Sequence, residues 1–197
     1  MHIKSEPPIL YFGTPVVLIS TLNEDETYNL SPMSSAFWLG WRCMLGLSSH
    51  SKTPQNMIRT GECVLNLPSV NEVAAVNCLA LTTGSNPVPE FKVRKGYRHE
   101  SDKFGISGLT PVASETVAPP RVRECPIQLE ATVVAMHHVA EDTPGGGGQL
   151  FPGGNRDRPA KFRESGWAGG RREPCRVPHT LPPRHSTKRQ AWWVSLG

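Results

Sequence analysis

Pro15 to Thr21 (PVVLIST) is a run of apolar and β-branched residues and reads as a strand. Asn23-Glu24-Asp25-Glu26 then supplies turn residues before a second extended run from Tyr28 to Trp38, so the two runs predict a hairpin. A tight turn favours Gly after Asp because glycine reaches positive φ without cost, and here Glu26 stands in that place. Cys43 to Ser48 (CMLGLS) predicts a third strand. A short helix should follow, with Thr53 as N-cap, Pro54 at the first helical position and Gly61 as terminator. Glu62 to Leu67 (ECVLNL) predicts a fourth strand, stopped by Pro68.

Ser69-Val70-Asn71-Glu72 has the spacing of a capping box, in which serine and glutamate each satisfy a backbone N–H, and VAAVNCLAL continues at helical spacing. This predicts a second helix over about 70 to 81. From Thr82 to Arg98 the Gly, Pro and basic residues predict a long surface loop with one turn of helix around Phe91 to Lys95. Cys125, Ile127, Leu129, Ala131, Val133 and Ala135 alternate with polar neighbours, the period of a long half-buried strand. Several strands with few short helices imply a mostly β barrel or sandwich.

Composition changes the picture beyond residue 142. Residues 1–142 hold 20 Gly and Pro, while 143–197 hold 17 in 55 positions, the density of low-complexity sequence. Charge divides at the same place, from a net −3 before it to +7 after it. The second segment has no isoleucine and too few large aliphatic residues to form much core, which predicts a disordered basic tail. A shifted reading frame near Pro144 to Gly148 is one account of the change, because the codons allowed for Phe151 to Asp157, read one base later, permit strand-forming residues; a native basic tail is the other. Lysines, arginines and tryptophans could hold nucleic acid, but no RRM, OB or zinc pattern accompanies them.

No apolar run approaches the 18 or more residues of a membrane span, and MHIKSEPP lacks the regions of a signal peptide, so a soluble, cytoplasmic protein is expected. The five cysteines include no CxxC pair and read as reduced, mostly core thiols. His137 and His138, adjacent on a strand, point to opposite faces and do not jointly chelate a metal. Tyr97 and His99 read as loop packing more readily than as a ligand cover, and Lys92, Arg94, Lys95 and Arg98 as a solvated basic loop more readily than as a phosphate contact.

Two clusters carry candidate chemistry. Asn29 to Phe37 and Ser48 to Asn56 both place small hydroxyl residues at strand ends, and the second runs into a helix N-terminus. Free N–H groups, Ser51 and Thr53 hydroxyls and the Lys52 charge make an anion site there, for which phosphate is the natural guest. Taken alone, hydroxyl residues ahead of a helix are more often caps than ligand contacts.

The order of these pieces resembles the flavin reductase-like, FMN-binding split-barrel family. The resemblance rests on Asn29-Leu30-Ser31-Pro32-Met33-Ser34-Ser35, Ser51-Lys52-Thr53, Asn56, Thr60-Gly61-Glu62 and Val64-Leu65-Asn66-Leu67, and spans roughly residues 8 to 140. It implies a mostly β, Greek-key split barrel with two or three short helices, formed by a C-terminally incomplete domain over 1–142 and followed by the tail of 143–197. It also implies a homodimer that binds FMN non-covalently near the subunit interface. Ser34, Ser35 and Phe37 would lie along the isoalloxazine and ribityl chain, with Ser48 and Ser49 continuing that wall. Ser51, Lys52 and Thr53 would hold the phosphate, and Asn56 would support their loop. Hydride chemistry belongs to the flavin, so no catalytic acid or base is expected. The activity implied is electron transfer between NAD(P)H, FMN and an acceptor; the alternatives are an FMN-binding module without turnover and a truncated product lacking a closing strand.

Overall fold

The computed structural model describes residues 13–139, 148–150 and 190–196. The proposed shift of reading frame near 144–148, its test segment 151–157 and Cys175 lie outside the described residues, apart from Gly148 itself. The chain opens with β1 (Val17–Leu22), β2 (Tyr28–Met33), β3 (Ala36–Leu39) and β4 (Arg42–Leu47), then α1 (Lys52–Thr60) and β5 (Glu62–Leu67). A 3-10 turn (Val70–Glu72) leads into α2 (Val73–Leu79), followed by β6 (Thr82–Thr83), α3 (Glu90–Val93), β7 (Arg98–His99), α4 (Lys103–Ser107), β8 (Pro111–Val112) and β9 (Arg121–Val122). The long β10 (Ile127–Val139) is followed by β11 (Gly148–Leu150) and β12 (Gln190–Leu196).

The β1–β2 hairpin forms where the sequence places it. Its turn is closed by Asn23 N–H donating to the Thr27 carbonyl at 2.8 Å, and Glu26 takes the left-handed conformation at φ 64° that a glycine would have taken freely. Asp25 offsets part of that cost by accepting from both the N–H and the hydroxyl of Thr27. The extended run from Tyr28 to Trp38 divides in two, because the chain leaves β2 at Ser34 and Ser35 and enters β3, which pairs with β4 rather than β1. α1 begins earlier than expected: Ser51 is the N-cap and Thr53 lies inside the first turn, its hydroxyl accepting from Asn29 instead of capping. Gly61 ends α1 at φ 72°, its N–H returning to the Met57 carbonyl. The Ser69/Glu72 capping box forms as predicted, over the 3-10 turn that starts α2. Four α-helices are described, with α4 and the β8–β9 ribbon in a stretch that carries no periodic signal.

The main sheet runs β2-β1-β5-β10-β12-β4-β3, with β11 on β10. Val17 and Ile19 of β1 share one core with Cys43, Leu45 and Leu47 of β4, although three strands separate them in the sheet, so the sheet wraps into a split barrel around that core. Leu18, alternating with them, faces outward and packs with Leu30, Leu79, Phe104, Leu109, Val122 and Cys125 under α2 and α4. This is why β1 is buried on both faces. Two segments beyond residue 142 join the sheet, to which the sequence reading assigns no strand. Gly148–Leu150 pairs with β10, and Gln190–Leu196 pairs with β10 on one side and β4 on the other. Four described cysteines are free thiols; Cys43, Cys63 and Cys125 are buried, and burial pushes the Cys43 thiol up to about 12.

Candidate functional site

α1 packs against β1 and β2, which sets its N-terminus beside the outer face of the hairpin. The anchor is polar. Asn56, fully buried one turn into α1, donates to the Thr21 hydroxyl at 3.1 Å and to the Asn23 side-chain oxygen at 2.8 Å, tying the helix to the end of β1 and its turn. Asn29 of β2 donates to the Thr21 hydroxyl at 3.2 Å and the Thr53 hydroxyl at 3.0 Å. Lys52 reaches across to Glu24 in the hairpin turn, and this contact holds the Glu24 carboxyl below the usual carboxylate range.

A pocket of about 90 Å³ opens at this junction. One wall is Asn29, Ser31, Pro32 and Met33 of β2, another is Ser51, Lys52 and Thr53 at the start of α1, and the far wall comes from the 79–84 segment together with Lys92, Tyr97 and Lys103. The lining contains hydroxyls, an amide and three lysines but no carboxylate. Such donor chemistry fits a phosphate, and the volume matches a phosphate group rather than a whole tricyclic ring system.

Of the residues expected from sequence, Ser51, Lys52 and Thr53 line this pocket. Asn56 does not line it; its amide nitrogen ties α1 to Thr21 and Asn23, and its buried side-chain oxygen has no hydrogen-bond partner among the described residues. Ser34, Ser35, Phe37, Ser48 and Ser49 lie outside it. Ser34 and Ser35 form the β2–β3 junction, where Ser34 accepts from the Thr14 hydroxyl and Ser35 from Gly46 N–H at 2.7 Å. Phe37 is half-exposed on β3, and Ser48 and Ser49 connect β4 to α1, with the Ser49 hydroxyl 3.0 Å from His50 Nδ1.

The far wall departs from the expectation of a solvated loop. β6 pairs in parallel with β7, and Thr82, Thr83 and Lys92 are buried. Lys92 Nζ donates to the Thr83 hydroxyl at 3.1 Å and lies 5.7 Å from the centre of the Tyr97 ring. Lys103, only 2% exposed, aims its ammonium at the Leu30 carbonyl, 3.4 Å away. Arg94 and Arg98 remain in surface ion pairs with Glu90 and Glu100, and His99 is exposed, as a basic surface loop predicts. No local sequence signal separates Lys92 from the solvated cations, since Val93 adjoins both buried Lys92 and exposed Arg94. No group of three or more His, Cys, Asp or Glu among the described residues is placed to hold a metal, and no described helix is long and apolar enough to cross a membrane.

A family model described as "Flavin reductase like domain" matches residues 9–145. A protein of Bacillus subtilis (strain 168), named Uncharacterized protein YdfE, is 42% identical over 128 residues, covering 65% of this chain and 62% of that protein. The chain therefore spans less than two thirds of that relative's length. Among solved structures, the flavoredoxin of Desulfovibrio vulgaris (Miyazaki F) superposes with a TM-score of 0.59 at 22% identity over 77% of this chain and 72% of its own. Flavoredoxin from Methanosarcina acetivorans gives 0.58 at 16% over 77% and 70%, and nitrilotriacetate monooxygenase component B from Bacillus cereus gives 0.55 at 21% over 71% and 66%. At these identities the superpositions speak to the fold.

Proposed function

The chain belongs to the flavin reductase-like family, and from that premise we propose that it binds FMN with the phosphate in the pocket at the start of α1. The observation that carries the reading is the lining of that pocket: hydroxyls of Ser31, Ser51, Thr53 and Thr83 converge with three lysines and no carboxylate, the donor set a phosphate monoester needs. The ring would leave the pocket toward the β2–β3 junction and the β4–α1 connection, where Ser34, Ser35, Phe37, Ser48 and Ser49 supply backbone N–H groups, hydroxyls and an aromatic face.

When bound, the flavin supplies the hydride and electron chemistry; the protein binds, orients and shields it. The activity we propose is transfer of electrons from NADH or NADPH to FMN, and from reduced flavin to an acceptor. A second copy of the chain completes the site: β3 ends the sheet path, and Phe37, Leu39 and Trp41 on and beside it are exposed at 47%, 69% and 61%. Free thiols at the four described cysteines accord with the cytoplasm as its compartment.

Titration of the purified chain with FMN, followed by flavin fluorescence and the visible spectrum, tests the binding claim. Saturable quenching with a structured absorption band is expected, and no binding at tens of micromolar rejects it. NADH and NADPH oxidation with added FMN tests the activity. A rate above that of free FMN is expected; saturable binding without such a rate leaves a flavin-binding module without turnover.

A further inference from the structure

The segment between β6 and β7 is an Ω-type loop with a pinned base. Arg98 N–H donates to the Leu81 carbonyl at 3.1 Å and Glu100 N–H to the Thr83 carbonyl at 2.9 Å, so the parallel β6–β7 pair holds the two ends together. Gly84 sets that base against the pocket, its backbone too close to Asn29 and Lys52 to leave room for a Cβ. Beyond it the tip is hydrogen-bonded to itself: the N–H groups from Lys92 to Tyr97 all donate to carbonyls between Pro89 and Val93. Side chains then fix where the tip lies. Lys92 ties it to the loop's own base, through the Thr83 hydroxyl at 3.1 Å. Phe91 ties it to the opposite wall, its ring meeting the His50 ring edge-to-face with centroids 5.7 Å apart and planes at 75°. His50 directly precedes Ser51 and Phe91 directly precedes Lys92, so the ring pair joins two walls of the pocket at positions next to its lining, and the exposure of His50 puts the contact at the outer rim.

We propose that residues 85–97 are a lid that moves as one body on the base formed by β6 and β7, and that the Phe91–His50 ring contact is the latch that sets how fast a ligand enters and leaves the pocket. The inference rests on the FMN reading above and adds control of exchange to it. Because Lys92 and Tyr97 belong to the far wall, any displacement of the tip changes the width of the pocket. The backbone bonds of the tip close within it and travel with it. Gly96, at φ 79°, gives the returning arm a left-handed pivot that glycine takes without strain, and the flexible four-carbon stem of Lys92 keeps Thr83 within reach as the backbone shifts. Parting of Phe91 from His50 is then the step that opening requires. A latch of this kind is present whether the pocket is empty or filled, so it slows entry and exit by the same factor and leaves affinity level.

The test is stopped-flow mixing of the full chain with FMN, followed by flavin fluorescence, for the wild type, Phe91→Ala, His50→Ala, the double variant, and Val93→Thr, which alters an exposed position of α3 two residues from the ring pair. Each latch variant should raise the association and dissociation rates together by about two- to tenfold, with Kd level and the double variant no faster than either single one. Val93→Thr should keep both wild-type rates. Unchanged rates in the latch variants, an equal acceleration in Val93→Thr, or a faster exit with unchanged entry, which marks a lost contact with the flavin itself, overturn the proposal while FMN binding stands. If the wild-type chain does not bind FMN, that reading fails by itself and amide hydrogen exchange decides the lid. The N–H groups of Arg94 and Gly96 should exchange through a local opening that both latch variants speed by about two- to tenfold while the amides of α1 keep their wild-type rates. Exchange of the loop in step with α1, or loop exchange that neither variant alters, overturns it.

Discussion

Gly84 packs its backbone close against the two opposite walls of the pocket. A Cβ there would stand 2.8 Å from Asn29 Oδ1 and 3.0 Å from Lys52 Cγ. Neither neighbour yields easily, since Asn29 is buried and bonded to Thr21 and Thr53, and Lys52 is held by Glu24. Gly84→Ala should destabilise the chain by about 1–3 kcal/mol through overpacking. It should also weaken FMN severalfold, because the wall carrying Thr83 moves outward. A melt and an FMN titration of the variant check this; a wild-type Tm and Kd together would show that the 82–84 segment shifts without cost. That Ser51, Lys52 and Thr53 line a pocket was signalled by the resemblance rather than by the residues themselves, since hydroxyls ahead of a helix are more often caps than ligand contacts. Gly84, Lys92 and Lys103 were signalled by neither: a basic, glycine-containing loop reads the same whether a given lysine points to solvent or inward. The decision is made by tertiary packing, through α4 against α2 and β2.

Elements with a strong local signal formed with boundaries close to those predicted. β1, β4, β5 and β10 carry β-branched or alternating runs, and the capping box and Gly61 are local chemistry that any surroundings would keep. Where two local signals competed, the structure chose by global fit. Thr53 is a good cap by itself, yet Ser51 takes the position because the Thr53 hydroxyl is needed by Asn29. The single strand read over Tyr28 to Trp38 breaks so that β3 can cross to β4, which it meets in a tight hairpin through Gly40 and Trp41, with Gly40 at φ 58°. That crossing leaves β3 as an edge with apolar side chains outward. Leu39→Glu or Trp41→Glu places a charge in the proposed contact between copies, so the wild-type chain should sediment as a dimer and either variant as a monomer. FMN affinity should fall with dissociation, since the proposed site is completed across the proposed interface. A monomeric wild-type chain that still binds FMN would sink the dimer proposal alone.

At the scale of the whole molecule the barrel depends on its last described strand. Ala131 to His137 of β10 pair with Leu196 to Ala191, and Ser195 to Gln190 pair with Arg42 to Leu47 of β4. Remove that strand and the sheet path falls into β2-β1-β5-β10 and β4-β3, with no strand pairing left between the two and with β10 and β4 as open edges. A composition-based reading could not find it. Gln190 to Leu196 is a short apolar run in a Gly-, Pro- and Arg-rich segment, and its value lies in filling a vacancy set by strands more than fifty residues earlier. Deletion of residues 190–197 should therefore cost far more than the loss of one seven-residue strand from an edge would. The expected result is loss of the cooperative thermal transition, aggregation through the exposed β4 and β10 edges, and no FMN binding even though every pocket residue is retained. Circular dichroism melts and FMN titration of the truncated chain decide the matter. A truncated chain that melts cooperatively and binds FMN like the full one would show that the 13–139 core closes by itself, and that β12 only borders it.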